Sequence, residues 1–318
     1  MKPVGGGLLL AVGALVLLAI WPATLWATYP GHNGRIAYDT AGSEIFTISP
    51  TADDPIRLTN GRFDDGSPSW SADGRRITFV RRGRNYSAVR AMRSDGGHEH
   101  SVVGTRKLHY DDPDFSPGGG HIVFASNYRR DYWISAVRSD GTHLRQLIHG
   151  RLGGPRYSPD GKRIAFYGVP VHRNGSSSIW TIHRDGSHLR RLTRPLDFGV
   201  DTNPDWRPDG RRILYTHCDY EERGCVSGDY LYSIRPDGSN RHRVSYTDHP
   251  AVYSPAGDRI ALSFVQWDTI RQNVFCGDVY TISVAGADRQ PDTNYCDGNP
   301  QRFTGIASSP SWQPLPGG

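Results

Sequence analysis

The sequence predicts an all-β protein, a six-bladed β-propeller closed by pairing of its N- and C-terminal strands. Three observations carry that reading. A phrase made of a proline, one variable residue and an aromatic, usually followed by a Ser-Pro-Asp-Gly-like turn, returns six times along the 318 residues. Alternating apolar runs of strand length follow the copies. The last copy has no strands after it, while the N-terminal region holds three strands that lack a first.

The first copy reads Pro68-Ser69-Trp70-Ser71-Ala72-Asp73-Gly74, and the later ones centre on Phe115, Tyr157, Trp206, Tyr253 and Trp312. The aromatics lie 45, 42, 49, 47 and 59 residues apart, and a β-rich period of that size means a propeller or an array. Within a repeat, a basic pair and an alternating run follow the turn, as in Lys162-Arg163-Ile164-Ala165-Phe166, which reads as a second strand. A third strand such as Ser178-Ile179-Trp180-Thr181-Ile182 ends in an Asp-Gly turn, where glycine supplies the positive φ that a tight hairpin needs. The fourth is a basic stretch, for example Leu144-Arg145-Gln146-Leu147 or Leu189-Arg190-Arg191-Leu192-Thr193. Four short antiparallel strands make one blade.

A lone four-stranded sheet cannot bury both faces, so the repeats must stack, with each repeated aromatic between neighbours. The surplus strands around Ile36, Ile45 and Ile56 then complete a blade with the strand of Trp312, which removes the edges an open array exposes.

The phrase Ser158 to Phe166 and the ending Asp185 to Thr193 resemble the TolB-like six-bladed propellers with the PD40, or WD40-like, repeat. The resemblance runs from Gly34 to Pro314 and implies a fold more than a function, because such propellers serve as binding platforms, envelope proteins and substrate-gating domains of peptidases. It also implies that an extended peptide from a partner enters the channel, as in TolB. TolB proteins carry an α/β domain ahead of the propeller, and here only a few residues separate Thr28 from Arg35.

Residues 28–318 are read as one propeller domain, about 48 residues per blade. Residues 1–27 are read as a signal peptide or membrane anchor: Lys2 precedes an uncharged run from Gly5 to Trp21. Cleavage after Ala27 and retention as a span both fit. No cysteine lies near this segment, so a lipid anchor is not expected. The reading is therefore an exported protein of the periplasm, cell envelope or exterior, monomeric, meeting a membrane only through that segment. Its four cysteines, Cys218, Cys225, Cys276 and Cys296, are even in number behind an export signal and read as two disulfides. The preferred pairing is Cys218 with Cys225 and Cys276 with Cys296; no Cys-x-x-Cys spacing favours a metal. The balance of 37 Lys+Arg against 32 Asp+Glu is mildly basic. Its arginines recur at fixed strand positions with no groove-reading helix, so no nucleic-acid partner is expected.

Strand alternation places the uniform Asp-Gly turns at one end of the ring and the irregular loops, such as Gly168 to Ser177 and His217 to Asp229, at the other. Irregular loops on a rigid scaffold are where recognition sits. Ahead of the repeated proline stand Asp65, Asp111, Asp112, Asp201 and Asp248, which read as an acidic collar at the channel mouth, suited to a cationic peptide or a cation. Each also fits a plainer role, accepting bonds from backbone amides. Tyr128, Arg129 and Tyr220 on the irregular loops read as a rim for a protein partner.

No Gly-x-Ser-x-Gly elbow or His-Glu-x-x-His is present, and His98-Glu99-His100 lacks the one-turn spacing of a zinc helix. The expectation is a non-enzyme without cofactor that binds a protein or peptide partner. The alternative is a metal-dependent propeller enzyme acting on polysaccharide: some propellers that resemble this one are sugar lyases with a histidine-held metal, and His172, His217 and His249 fall on or near the irregular end.

Overall fold

The computed structural model describes residues 30–40, 44–50, 52–61, 63–129, 131–195, 199–221, 224–225, 229–247, 250–268, 273–286, 290–291 and 308–316. They form six antiparallel blades. Blade 1 joins β24 (Ser308–Leu315) to β1 (His32–Asp39), β2 (Ile45–Ser49) and β3 (Ala52–Arg57). Blade 2 is β4 (Asp64–Trp70), β5 (Arg76–Gly83), β6 (Tyr86–Arg93) and β7 (His100–Thr105). Blade 3 holds β8 (His109–Phe115), β9 (His121–Tyr128), β10 (Asp131–Arg138) and the first part of β11 (Arg145–Tyr157). The rest of β11 opens blade 4, with β12 (Arg163–Pro170), β13 (Ser178–His183) and the two-residue β14 (Arg190–Arg191). Blade 5 is β15 (Gly199–Trp206), β16 (Ile213–Glu221), β18 (Asp229–Ile234) and β19 (His242–Thr247), with β17 (Gly224–Cys225) folded back on β16. Blade 6 is β20 (Ala251–Tyr253), β21 (Arg259–Asp268), β22 (Asn273–Ser283) and β23 (Gln290–Pro291).

Closure follows the expected scheme. β24 pairs antiparallel with β1, Trp312 opposite Ile36 and Ser311 opposite Ala37. The innermost strands then touch in a ring: β24 meets β4, β4 meets β8, β8 meets β11, β11 meets β15, β15 meets β20, and β20 returns to β24.

Each seam between blades holds one apolar cluster, and each cluster contains one of the six repeated aromatics. The strand period of two explains how one strand serves two seams: Ile164 and Phe166 pack toward blade 3 with Tyr157, whereas Ala165 packs toward blade 5 with Trp206. Trp206 and Phe115 are wholly buried. Arginines opening the second strands lie over the next blade's ring, Arg76 at 4.9 Å from the Phe115 centroid and Arg163 at 5.0 Å from Trp206.

The Ser-x-Asp-Gly turn is a closed hydrogen-bond unit. The Ser158 hydroxyl donates to Asp160 Oδ1 (2.6 Å) and accepts from the Arg163 amide (2.9 Å), while the Lys162 amide donates to Asp160 (3.1 Å). The Ser71 hydroxyl and Asp73 repeat it in blade 2.

One element departs from the expectation. The fourth strand of blade 3 and the first of blade 4 are a single strand, β11, with Arg145 to His149 paired to β10 and Gly150 to Tyr157 paired to β12. Gly150 (φ 148°) makes the crossing possible, since a Cβ there would lie 2.5 Å from the Val169 carbonyl oxygen.

Truncating Trp312 to Ala empties the closing seam and removes its Nε1 bond to the Gly34 carbonyl (3.0 Å). Urea unfolding should show a loss of about 3–5 kcal/mol, and a far smaller loss for the half-exposed Leu315→Ala in the same strand. Equal losses would mean the seam does not hold the ring shut.

Candidate functional site

The innermost strands share a local distortion just ahead of the repeated proline. Ser67 (φ 54°), Asp112 (φ 48°), Gly154 (φ 57°) and Asn203 (φ 51°) all adopt the left-handed conformation, and strand register shifts at the same place in blades 2 to 5. These are β-bulges, which re-aim side chains and recur beside binding sites. Gly154 is needed for space as well as conformation, because a Cβ would lie 2.8 Å from the Tyr167 ring.

Beyond each bulge the variable residue of the phrase reaches sideways to the next blade. Ser311 accepts from the Trp70 amide (3.1 Å), Asp114 from the Tyr157 amide (2.9 Å) and Asp205 from the Tyr253 amide (2.8 Å). The Ser69 hydroxyl donates to Asp114 (2.9 Å), and Trp206 Nε1 donates to the Arg156 carbonyl (3.3 Å). Among the described residues five of the six seams are thus bridged at the axis by polar contacts, and Val252 stands at the sixth position. These residues line a central cavity of ≈ 40 Å³, room for a few waters. Reading the phrase as "one variable residue" missed this ring. The available signal was that five of its six copies, Ser69, Asp114, Arg156, Asp205 and Ser311, are polar inside an otherwise packed motif.

The expected collar divides. Asp65 and Asp201 hold equivalent positions and are buried, each under a cationic or polar partner on the second strand of its own blade. Asp65 receives both Nε and Nη2 of Arg81 at 2.6 Å, and Arg81 also reaches Glu99 at 2.6 Å. Asp201 Oδ1 lies 2.6 Å from His217 Nδ1, and His217 Nε2 lies 3.2 Å from Asp219. Neither carboxylate opens onto the channel, because their strand register points them at the partner opposite. Asp248 lies outside the described residues.

Asp111 and Asp112 do come together, on blade 3. Asp111 is half exposed and accepts from Arg82 (2.8 Å) and the Ser67 hydroxyl (2.9 Å). Asp112 accepts from the Gly154 amide (3.1 Å). Burial and the neighbouring Asp111 carboxylate push Asp112 up to about 6, against the pull of Arg156 and Arg82. Burial likewise raises Asp114, with Arg156 opposing. Among the described residues the mouth therefore carries an acidic arc on blade 3, formed by Asp111, Asp112 and Asp114.

Tyr128 and Arg129 stand exposed at the tip of the β9–β10 hairpin, the guanidinium 5.3 Å from the ring centroid. Tyr220 on β16, Cys225 on β17 and Cys276 on β22 have side chains outside the described ones, and Cys296 lies outside the described residues; Cys218 is buried and no described cysteine is free. His172 lines an outer groove and His217 the Asp201 pair, and His249 is outside the described residues. Among the described residues no three His, Cys, Asp or Glu gather as metal ligands.

The family model described as PD40, TolB beta propeller domain, matches residues 133–293, half of the chain. The chain belongs to the PD40 family. This PD40 propeller is similar over 88% of its length to the crystal structure of TolB from Acinetobacter baumannii, at 19% identity and TM-score 0.70, covering 67% of that chain. It is also similar to an oligogalacturonate lyase from Vibrio parahaemolyticus, at 15% identity and TM-score 0.56, covering 86% of this chain and 81% of that one. A stretch of 70 residues, 21% of the chain, is 36% identical to the uncharacterized peptidase YuxL of Bacillus subtilis, of whose length it spans a tenth. At these identities the solved structures share the fold with this chain.

Two pH effects follow from the geometry. Asp112 is raised above its unfolded value, so its ionised form is disfavoured in the fold and stability should fall as pH rises from about 4 through about 6. Asp112→Asn keeps the left-handed preference and an acceptor; its melting temperature should exceed that of the parent at pH 8 and match it at pH 4. His217 is raised chiefly by its bond to Asp201, so that pair stabilises below the ordinary histidine range and the gain is lost as pH rises through the raised value. His217→Gln should accordingly cost most at pH 5–6, and a loss independent of pH would contradict the assignment.

Proposed function

We propose that this PD40 propeller is a non-catalytic binding protein that takes a cationic group of a protein or peptide partner at the acidic arc of its channel mouth. The observation behind the reading is that Asp111, Asp112 and Asp114 outnumber the arginines beside them, Arg82 and Arg156. Asp112 is held up to about 6 chiefly by burial and further by the adjacent Asp111 charge, a repulsion that the arginines leave in place. A lysine or arginine from a partner would relieve it, and the bulged backbone holds the carboxylates in place without any ligand. The proposal extends to export through residues 1–27, a monomeric state, and disulfides Cys218–Cys225 and Cys276–Cys296.

Titration calorimetry with an extended lysine-containing peptide tests the site. Asp111→Lys should weaken binding about tenfold or more, with a strong salt dependence, and leave the melting temperature within a few degrees. Unchanged binding in that variant sinks the reading. The alternative, a metal-dependent enzyme acting on polysaccharide, rests on the likeness to a lyase and would be supported by stoichiometric metal in purified protein together with turnover of a uronate polymer. Non-reducing peptide mapping tests the disulfides: cross-links joining any other cysteines contradict them.

A further inference from the structure

The crossing strand β11 has a consequence at the rim of the irregular end. Among the described residues, the other fourth-to-first connections leave regular strand structure, whereas β11 runs straight from blade 3 into blade 4. The rim between the β9–β10 hairpin and the loop after β12 is left as an open groove of ≈ 400 Å³, ten times the space at the channel waist. Its floor is Val169, Pro170 and Val171, the last 41% exposed, and its sides carry Arg151, Arg173 and His149. Arg151 and Arg173 are exposed, and among the described residues neither has an acidic partner. Asp131, the one acid among the described residues of the lining, lies 3.6 Å from His149 Nε2, and His149 is stacked on Trp133 at 5.4 Å. Arg129 stands on the same hairpin with its charge turned over Tyr128.

We propose that this groove is a second docking surface, separate from the acidic arc, and that it takes an acidic, extended segment of a protein partner in which apolar side chains alternate with carboxylates. Apolar side chains would cover the valine–proline floor while carboxylates meet Arg151 and Arg173, whose planar guanidinium groups bind carboxylates in bidentate fashion. The floor offers no aromatic face on which a sugar ring stacks, which favours a peptide over an anionic polysaccharide. The two surfaces have opposite charge, so one partner carrying a cationic and an acidic segment would be oriented on the mouth by both.

The test is fluorescence anisotropy with the full chain and a labelled octapeptide of alternating glutamate and leucine, against its glutamine–leucine analogue and with polygalacturonate as a competing ligand. Arg151→Glu/Arg173→Glu should weaken binding of the acidic peptide about tenfold or more, and Val171→Asp, which places a carboxylate on the floor, should weaken it as well. Arg75→Glu/Arg211→Glu, an equal charge change at the opposite end, should leave it unaltered. The proposal is overturned by equal binding of the glutamine analogue, by retained affinity in both groove variants, or by binding of polygalacturonate where the acidic peptide fails to bind. If the double variant does not fold, Val171→Asp alone decides.

Discussion

The constraint on which everything else depends is that each small sheet is apolar on both faces and has only its neighbours to cover them. With side chains alternating at a period of two, a strand such as β12 must satisfy a seam on each side, Ile164 and Phe166 toward one blade and Ala165 toward the other. A chain of such sheets has no stable end until the last face meets the first. The antiparallel pairing of Trp312 with Ile36 supplies that meeting, and it also removes two open strand edges. The repeated aromatic is therefore the wedge of a seam, which is why it recurs while most of the surface varies.

The axis meets a different constraint. Six innermost strands converge where there is little room, and their backbone amides need acceptors away from bulk water. The bulge ahead of the proline in blades 2 to 5 re-aims the residues after it, and Asp114, Asp205 and, in blade 1, Ser311 each accept an amide from the following blade. The same device that closes the waist leaves carboxylates short of compensation at the mouth above it, on blade 3, where Asp111 and Asp112 sit in succession. Satisfied amides at the waist and acids at the mouth thus come from one backbone feature, with blades 2 and 5 using their acids internally on Arg81 and His217.

Much of the fold was legible along the chain because it is written in local chemistry repeated six times. Ser158, Asp160 and the glycine that follows form a turn from contacts within five residues, and alternating apolar residues announce a strand whatever lies around it. The site was legible only in part. Asp65, Asp111 and Asp201 look alike beside their prolines, yet their fates differ according to which residue stands opposite on the second strand and on which side of the bulge the carboxylate falls. That depends on register: Asp65 faces Arg81 and Asp201 faces His217, whereas Asp111 lies beyond reach of such a partner on its own blade and turns to Arg82 of the neighbouring one.

From its sequence alone, this chain determined the number of blades, the strand order within each and the terminal pairing, because periodic burial and turn chemistry act over a few residues and admit one ring. Tertiary structure alone decided which carboxylates are consumed by pairing, where the polar ring at the axis lies, and that blades 3 and 4 share one strand with an open groove beside it. Those outcomes depend on contacts between residues some forty positions apart, such as Asp114 with Tyr157, whose meeting is set by the packing of whole blades and by the bulges that steer the innermost strands.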